Sequence, residues 1–121
     1  MKRPNILIIE DEEDIRLLYK TILNRNFDLN ILEANSIHKA KELLATDVPS
    51  YVLLDLCLPD GSGCDIIPLL KSFNSEVKIL VITAFGHCTE TKQAEDLGAF
   101  GLLEKPFKTI AFIAELEKML K

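Results

Sequence analysis

The sequence predicts an α/β fold: a single (βα)5 doubly wound parallel sheet of five strands, in the flavodoxin-like order 2-1-3-4-5, with helices on both faces. Three observations lead there. Short runs of Ile, Leu and Val alternate five times with longer amphipathic stretches. Three of the runs are apolar nearly throughout, as strands covered on both faces must be. No repeat, low-complexity tract or internal linker breaks the alternation, so residues 1–121 read as one domain with right-handed crossovers.

The first strand is expected over Asn5–Ile9, followed by a helix in which Ile15, Leu18, Tyr19, Ile22 and Leu23 recur at helical spacing. Residues 29–33 form the second strand. Ser36 is placed to cap the next helix, whose apolar stripe is Ile37, Ala40 and Leu44. The third strand is Tyr51–Leu54, and its helix begins near Asp65, which puts Pro68 in a first turn where a missing N–H is tolerated. Residues 77–82 make the fourth strand. The helix after it, about residues 89–97, offers only Ala94 and Leu97 as anchors and ends before Gly98, a natural C′ residue. It is the weakest packed of the five and therefore the candidate moving part. Residues 100–103 complete the sheet, and Ile110, Ile113, Leu116 and Leu120 mark the last helix.

Composition narrows the function. A chain of 121 residues buries roughly two-thirds of its unfolded surface, and 48% hydrophobic with 27% charged residues is a globular balance. The net charge is −5 and the basic residues are scattered, so direct nucleic-acid binding by this chain is not expected. No apolar run approaches the roughly 18 residues that span a bilayer, and MKRPNILIIEDEED lacks the form of a signal peptide. Cys57, Cys64 and Cys88 are odd in number and without CxxC spacing, which suggests neither a disulfide framework nor a zinc site. The chain reads as reduced, soluble and cytoplasmic, with no membrane partner.

In NILIIEDEED, a hydrophobic strand runs straight into five carboxylates, Glu10 to Asp14. Like charges about 4 Å apart repel by roughly 4 kcal/mol at an effective dielectric of 20. Glu12, Glu13 and Asp14 are accounted for as a helix start, where the dipole favours negative charge. Glu10 and Asp11 remain, and in a doubly wound sheet they leave the strand at the switch point where ligands bind. Other polar residues follow the apolar runs at the same end: Asp55 in YVLLDLCLPDGSG, Thr83 in ILVITAFG and Lys105 in GAFGLLEKPF. Strands one and three are neighbours in this order, so Asp11 and Asp55 should lie side by side. Three carboxylates without His or Cys suit a hard cation such as Mg²⁺. A Lys and a Thr opposite suit phosphoryl oxygens, and a carboxylate beside the cation can be the nucleophile that forms an aspartyl-phosphate.

Together these residues resemble the receiver domain of bacterial two-component response regulators. The paired acids, DLCLPDGSG, the TA dipeptide and KPF stand in that family's order and spacing across essentially the whole chain. The resemblance implies that Asp55 accepts a phosphoryl group from the phosphohistidine of a sensor histidine kinase or histidine phosphotransfer protein. It implies Mg²⁺ held by Glu10, Asp11, Asp55 and the Cys57 backbone carbonyl. Thr83 and Lys105 would contact the phosphoryl oxygens, Ala84 would offer its backbone N–H, and Lys105–Pro106 would be a cis peptide. The helix 4–strand 5–helix 5 face would then act on an output domain or protein, with a phosphorylation-dependent dimer among the possible forms. Whether the chain stands alone or is part of a longer regulator is left open.

The sequence departs from the family at Leu102, three residues before Lys105, where a Tyr or Phe usually turns inward as the Thr moves. Phe100, of the same strand parity, is the candidate to substitute in part. In that family the positions of Cys57 and Phe85 flank the route of the hydrolytic water, and neither residue supplies a general acid or base suited to directing it, so slow autodephosphorylation is expected. His38 is expected in a surface helix, and His87 near the rim without a role. Cys64 and Cys88 are expected as packing residues.

Three other readings compete. An aspartyl-phosphate phosphatase should carry Asp-x-Asp, but the chain has Asp55-Leu56-Cys57 and lacks that second acid. A flavin binder needs a Gly/Ser/Thr-rich phosphate loop after strand one, where EDEED would repel the anion. A degenerate receiver acting as a constitutive interaction module has only Leu102 in its favour.

Overall fold

The computed structural model describes residues 3–84 and 88–120. Five parallel strands, β1 (Asn5–Ile9), β2 (Asn30–Ala34), β3 (Tyr51–Leu54), β4 (Lys78–Ala84) and β5 (Gly101–Lys105), form one sheet in the order β2-β1-β3-β4-β5. The helices are α1 (Glu13–Asn26), α2 (Ile37–Leu44), α3 (Ile67–Phe73), α4 (Cys88–Asp96) and α5 (Thr109–Leu120). This is the flavodoxin-like topology expected from the sequence.

The strands show why the pattern is nearly unbroken. Leu7 and Ile9 of β1, Val52 and Leu54 of β3, and Ile79 and Val81 of β4 pack with α2, α3 and α4 on one face. Ile6 and Ile8, Leu53, and Leu80 and Ile82 alternate with them and pack with α1 and α5 on the other. Both parities are buried, so each of these residues contributes about 1.5–3 kcal/mol of burial free energy.

Sheet pairing, more than apolarity, sets the strand ends. β2 is shifted by one residue from expectation, and β4 runs on to Ala84 because its ladder with β5 continues to the Ala84–Lys105 pair. That extension carries Thr83 into the sheet at the rim.

Glu12 precedes α1 without a side-chain capping bond, and Glu13 and Asp14 fill its first turn. Ser36 caps α2 as expected, its Oγ accepting the Lys39 N–H at 3.0 Å. A 3₁₀ turn over Gly63–Ile66 leads into α3, with Pro68 in the first α turn. Gly98, just after α4, has φ +101°, the left-handed region that glycine enters cheaply.

Two helix faces differ from expectation. In α5 the buried residues are Phe112, Leu116 and Met119, with Ile113 and Leu120 partly covered, while Ile110 is 76% exposed. The Phe112 ring decides the rotation: it fills the space between Tyr19 and Phe107, with ring centres 5.1 and 5.4 Å away. In α1 the stripe is Tyr19, Ile22 and Leu23, and Leu18, one position off it, is 48% exposed. One element was not anticipated. An antiparallel ribbon, Cys57–Leu58 against Gly61–Ser62, follows Asp55 immediately.

Candidate functional site

The polar residues at the strand ends meet at the carboxyl edge of the sheet. Glu10, directly after β1, is a buried carboxylate. Its Oε1 accepts from Lys105 Nζ at 2.8 Å and its Oε2 from the Glu12 N–H at 3.1 Å. Arg16 donates to the Glu10 carbonyl at 2.7 Å and reaches Glu33 at 3.3 Å, tying α1 to the ends of β1 and β2. Asp55, after β3, is 7% exposed; Lys105 Nζ lies 3.4 Å from its Oδ2, and its Oδ1 accepts the Cys57 N–H at 3.1 Å. Asp11 is exposed, and one oxygen from each of Glu10, Asp11 and Asp55 falls within 4.8 Å of the others.

Strand parity explains this convergence. Glu10 continues the Ile6–Ile8 series, Asp55 the Leu53 series and Lys105 the Leu103 series, all on the α1/α5 side of the sheet. Thr83 continues the Ile79–Val81 series on the other side. It is fully buried, and its Oγ1 has no hydrogen-bond partner among the described residues. A buried hydroxyl left unpaired costs about 1–3 kcal/mol, so it is a donor in search of an acceptor.

The electrostatics follow from burial. Desolvation pushes Glu10 up to about 7, partly offset by Lys105 and the Glu12 N–H and reinforced by the charge of Asp55. Burial works against the charge on Lys105, but Glu10 and Asp55 outweigh it and hold the ammonium above its ordinary range. Below Glu10 and Asp55, Tyr19 is raised by burial and then by those carboxylates. Its hydroxyl also has no partner among the described residues.

The switch position is less favourable to an aromatic device. Leu102 pairs in register with Val81, two residues below Thr83, and packs half-buried against the apolar cluster on the α2, α3 and α4 side of the sheet. Phe100 does not substitute for a ring there. It precedes β5 and is 42% exposed, with Lys78 Nζ 5.3 Å from its ring centre, so it lies at the far end of β4 and β5 from the rim. Equal parity was not enough, because two residues along a strand is about 7 Å.

Cys57 is exposed at the start of the ribbon, while Cys64 is buried and its thiol donates to the Glu90 carbonyl at 3.3 Å. Ser62 Oγ donates to Glu90 Oε2 at 3.2 Å, so the loop after Asp55 touches the first turn of α4. His38 is exposed on α2, 3.9 Å from Glu42. Ala84 ends β4 beside Lys105, and the Lys105–Pro106 peptide is cis. Phe85 and His87 lie outside the described residues, as does the side chain of Cys88.

Two residues that the motifs alone did not single out hold the ribbon. Asp60 accepts the N–H groups of Ile37 and His38, each at 2.9 Å. Gly63 lies so close to the Asp55 and Leu56 backbone that a Cβ there would stand 2.9 Å from Leu56 Cα and overlap the Asp55 carbonyl oxygen. The Pro-Asp-Gly turn signal in the sequence could have located the ribbon. Its grip on α2 joins residues 23 positions apart and leaves no local trace.

The fold and this rim define an α/β domain with an acidic pocket, one lysine and a buried threonine at its switch point. The description "response regulator receiver domain" matches residues 6–117, and the chain belongs to that family. Such domains are signalling domains of two-component systems. The chain is 38% identical over 106 residues to response regulator protein PilR of Pseudomonas aeruginosa, covering 88% of this chain and 24% of PilR. It is 28% identical over 107 residues to sporulation initiation phosphotransferase F of Bacillus subtilis, covering 88% of this chain and 86% of that protein. The chain spans about half the length of several other curated relatives. The non-phosphorylated receiver domain of HemR from Leptospira biflexa superposes with a TM-score of 0.88 at 29% identity, over 98% of this chain and 95% of that one. No helix among the described residues is long and apolar enough to cross a membrane.

Proposed function

We infer that this chain is a phosphorylatable switch in which Asp55 takes a phosphoryl group from a phosphohistidine on a sensor histidine kinase or histidine phosphotransfer protein. The observation that carries the reading is the neighbourhood of Asp55. A buried carboxylate at the end of the central strand has Lys105 Nζ at 3.4 Å, and one of its oxygens lies within 4.8 Å of an oxygen of Glu10 and one of Asp11. In the transfer an Asp55 oxygen forms the new O–P bond while the P–N bond of the donor breaks, the electron pair returning to the imidazole. Lys105 shifts its ammonium from Glu10 toward the phosphoryl oxygens, the Thr83 hydroxyl gains an acceptor, and Ala84 adds its N–H.

The carboxylates of Glu10, Asp11 and Asp55 offer one oxygen each within 4.8 Å of the others, an all-oxygen set that suits Mg²⁺, and the Cys57 carbonyl would be a further ligand. When bound, that ion would neutralise charge building on the phosphoryl oxygens. Residues 1–121 act as one receiver domain in the cytoplasm. The modification adds about −1.5 to −2 charges at the rim, and Thr83 moves inward. The α4–β5–α5 face then engages an output domain, a protein partner or a second copy. Leu102 has no ring to reorient, so it reports the change through its packing against the apolar cluster on the α4 side. Neither Cys57 nor Phe85 supplies an acid or base, so the phosphoryl group is lost slowly.

The test is incubation with a small-molecule phosphoryl donor, with and without Mg²⁺, read by intact mass. One phosphoryl addition that requires Mg²⁺ and vanishes in Asp55→Ala is expected. An unmodified parent chain, or undiminished modification of the variant, refutes the reading.

A further inference from the structure

We propose that Asp60 is a positioning residue for the acidic pocket: by gripping the start of α2 it holds the ribbon that carries Cys57 in place, and so sets the pocket's affinity for Mg²⁺. The inference rests on the reading of Glu10, Asp11, Asp55 and the Cys57 carbonyl as the ligands.

Asp60 lies at the tip of the ribbon, beyond the Leu58–Gly61 pair. Both its oxygens are committed: Oδ1 accepts the Ile37 N–H and Oδ2 the His38 N–H, each at 2.9 Å. These are amides in the first turn of α2 that no helical carbonyl serves, and the partly positive helix end favours the carboxylate. The two bonds hold the Asp60 carboxyl below its ordinary range. The other end of the ribbon is pinned too. The Gly63 N–H donates to the Leu56 carbonyl at 2.9 Å, and the absence of a side chain on Gly63 lets the chain pass directly against Asp55.

Cys57 sits between these pins. Its own ladder is short, two residues on each strand, and a hairpin of that length does not hold itself in water. A side-chain ligand can adjust its rotamer to a cation, but a backbone carbonyl moves only with its backbone. The position of the Cys57 carbonyl relative to Asp11 and Asp55 is therefore the position of the ribbon, and Asp60 ties that ribbon to α2.

The experiment separates positioning from helix capping. Mg²⁺ binding is measured by titration calorimetry on the full chain for the parent, Asp60→Ala, Asp60→Asn, Ser36→Ala and Asp11→Asn. Outer partners of metal ligands typically change affinity by about 10–100-fold, and Asp60 stands one step further out, so Asp60→Ala is expected to weaken binding by about threefold to tenfold. The Mg²⁺ concentration for half-maximal phosphorylation should rise by the same factor, while the rate at saturating Mg²⁺ stays within about twofold of the parent. Asn retains one acceptor for the α2 amides, so Asp60→Asn should fall between the parent and Asp60→Ala. Ser36→Ala removes a cap from the same helix, so it should lower the melting temperature without changing Mg²⁺ affinity.

Parental affinity in Asp60→Ala, or equal weakening in Ser36→Ala, overturns the inference and leaves the ligand assignment standing. If Asp60→Ala does not fold, parental affinity in Asp60→Asn overturns it. No Mg²⁺ binding by the parent, or parental binding by Asp11→Asn, removes the ligand assignment and this inference with it.

Discussion

Replacing Gly63 with Ala should damage both stability and the proposed phosphorylation, because that glycine is where the chain passes against the backbone of Asp55. A Cβ at position 63 would overlap the Asp55 carbonyl oxygen and stand 2.9 Å from Leu56 Cα. Both neighbours are backbone, so neither can swing aside. Overpacking of this kind costs about 1–3 kcal/mol. Displacing the chain also weakens the Gly63 N–H to Leu56 carbonyl bond, now 2.9 Å, worth about 1 kcal/mol. Ala reduces the freedom of the unfolded chain relative to Gly, which returns about 0.4–1 kcal/mol. The net loss is about 1–3 kcal/mol. At about 2.1 cal/mol/K of unfolding entropy per residue, a chain of 121 residues loses about 4 °C of melting temperature per kcal/mol. The expected fall is therefore about 4–12 °C, read by urea and thermal unfolding followed by far-UV circular dichroism. The rate of phosphorylation at saturating Mg²⁺ should fall at least tenfold (about 1.4 kcal/mol in the barrier), because Asp55 is displaced with its carbonyl. Gly98→Ala is the comparison. With φ +101° and Lys71 near by, it too is destabilising, but it lies remote from Asp55 and should keep the parental rate. A Gly63→Ala protein with parental stability and rate refutes the close-approach argument.

Three further outcomes are expected. Tyr19→Phe should raise stability by about 1 kcal/mol, measured by urea unfolding, because it removes a buried hydroxyl without a partner among the described residues; a loss of more than about 1 kcal/mol would show that the hydroxyl is satisfied. Phe112→Ala should cost about 3–5 kcal/mol by the same measurement, since the ring is fully buried between Tyr19 and Phe107. With divalent cations chelated, stability should decline as pH rises from about 4.5 to about 7, because burial raises Glu10 to about 7 and the folded state holds that proton more tightly than the unfolded one. The 2.5-unit difference (7 − 4.5) corresponds to about 3 kcal/mol at most, and Glu10→Gln should remove that part of the slope; a variant with the parental slope assigns it to other groups.

The alternation of apolar runs was enough to read a parallel sheet with helices on both faces, because strands buried on both faces and amphipathic helices leave different periods in the chain; the order 2-1-3-4-5 came from the doubly wound fold type and is the order observed. The acidic pocket was legible for a related reason. Parallel topology sends every strand's carboxyl end to one rim, so Glu10, Asp11, Asp55, Thr83 and Lys105 could be assembled from their positions after apolar runs. The rotation of α5 was not legible, since Ile110 and Phe112 are both apolar and only the gap between Tyr19 and Phe107 chooses the ring. Phe100 failed for a similar reason: parity names the face of a strand but not the height along it.

The sequence by itself therefore determined the layers, the parallel alternation and the list of charged groups at the rim, all of which follow from period and order along the chain. Tertiary structure alone decided that Lys105 sits closer to Glu10 than to Asp55, at 2.8 against 3.4 Å, and that the Thr83 hydroxyl is buried without a partner among the described residues. It also decided that Asp60 closes on α2 and that Gly63 lies against the Asp55 backbone. These are distances between residues far apart in the chain, and they depend on how helices and ribbon settle against a finished sheet. No local period encodes them.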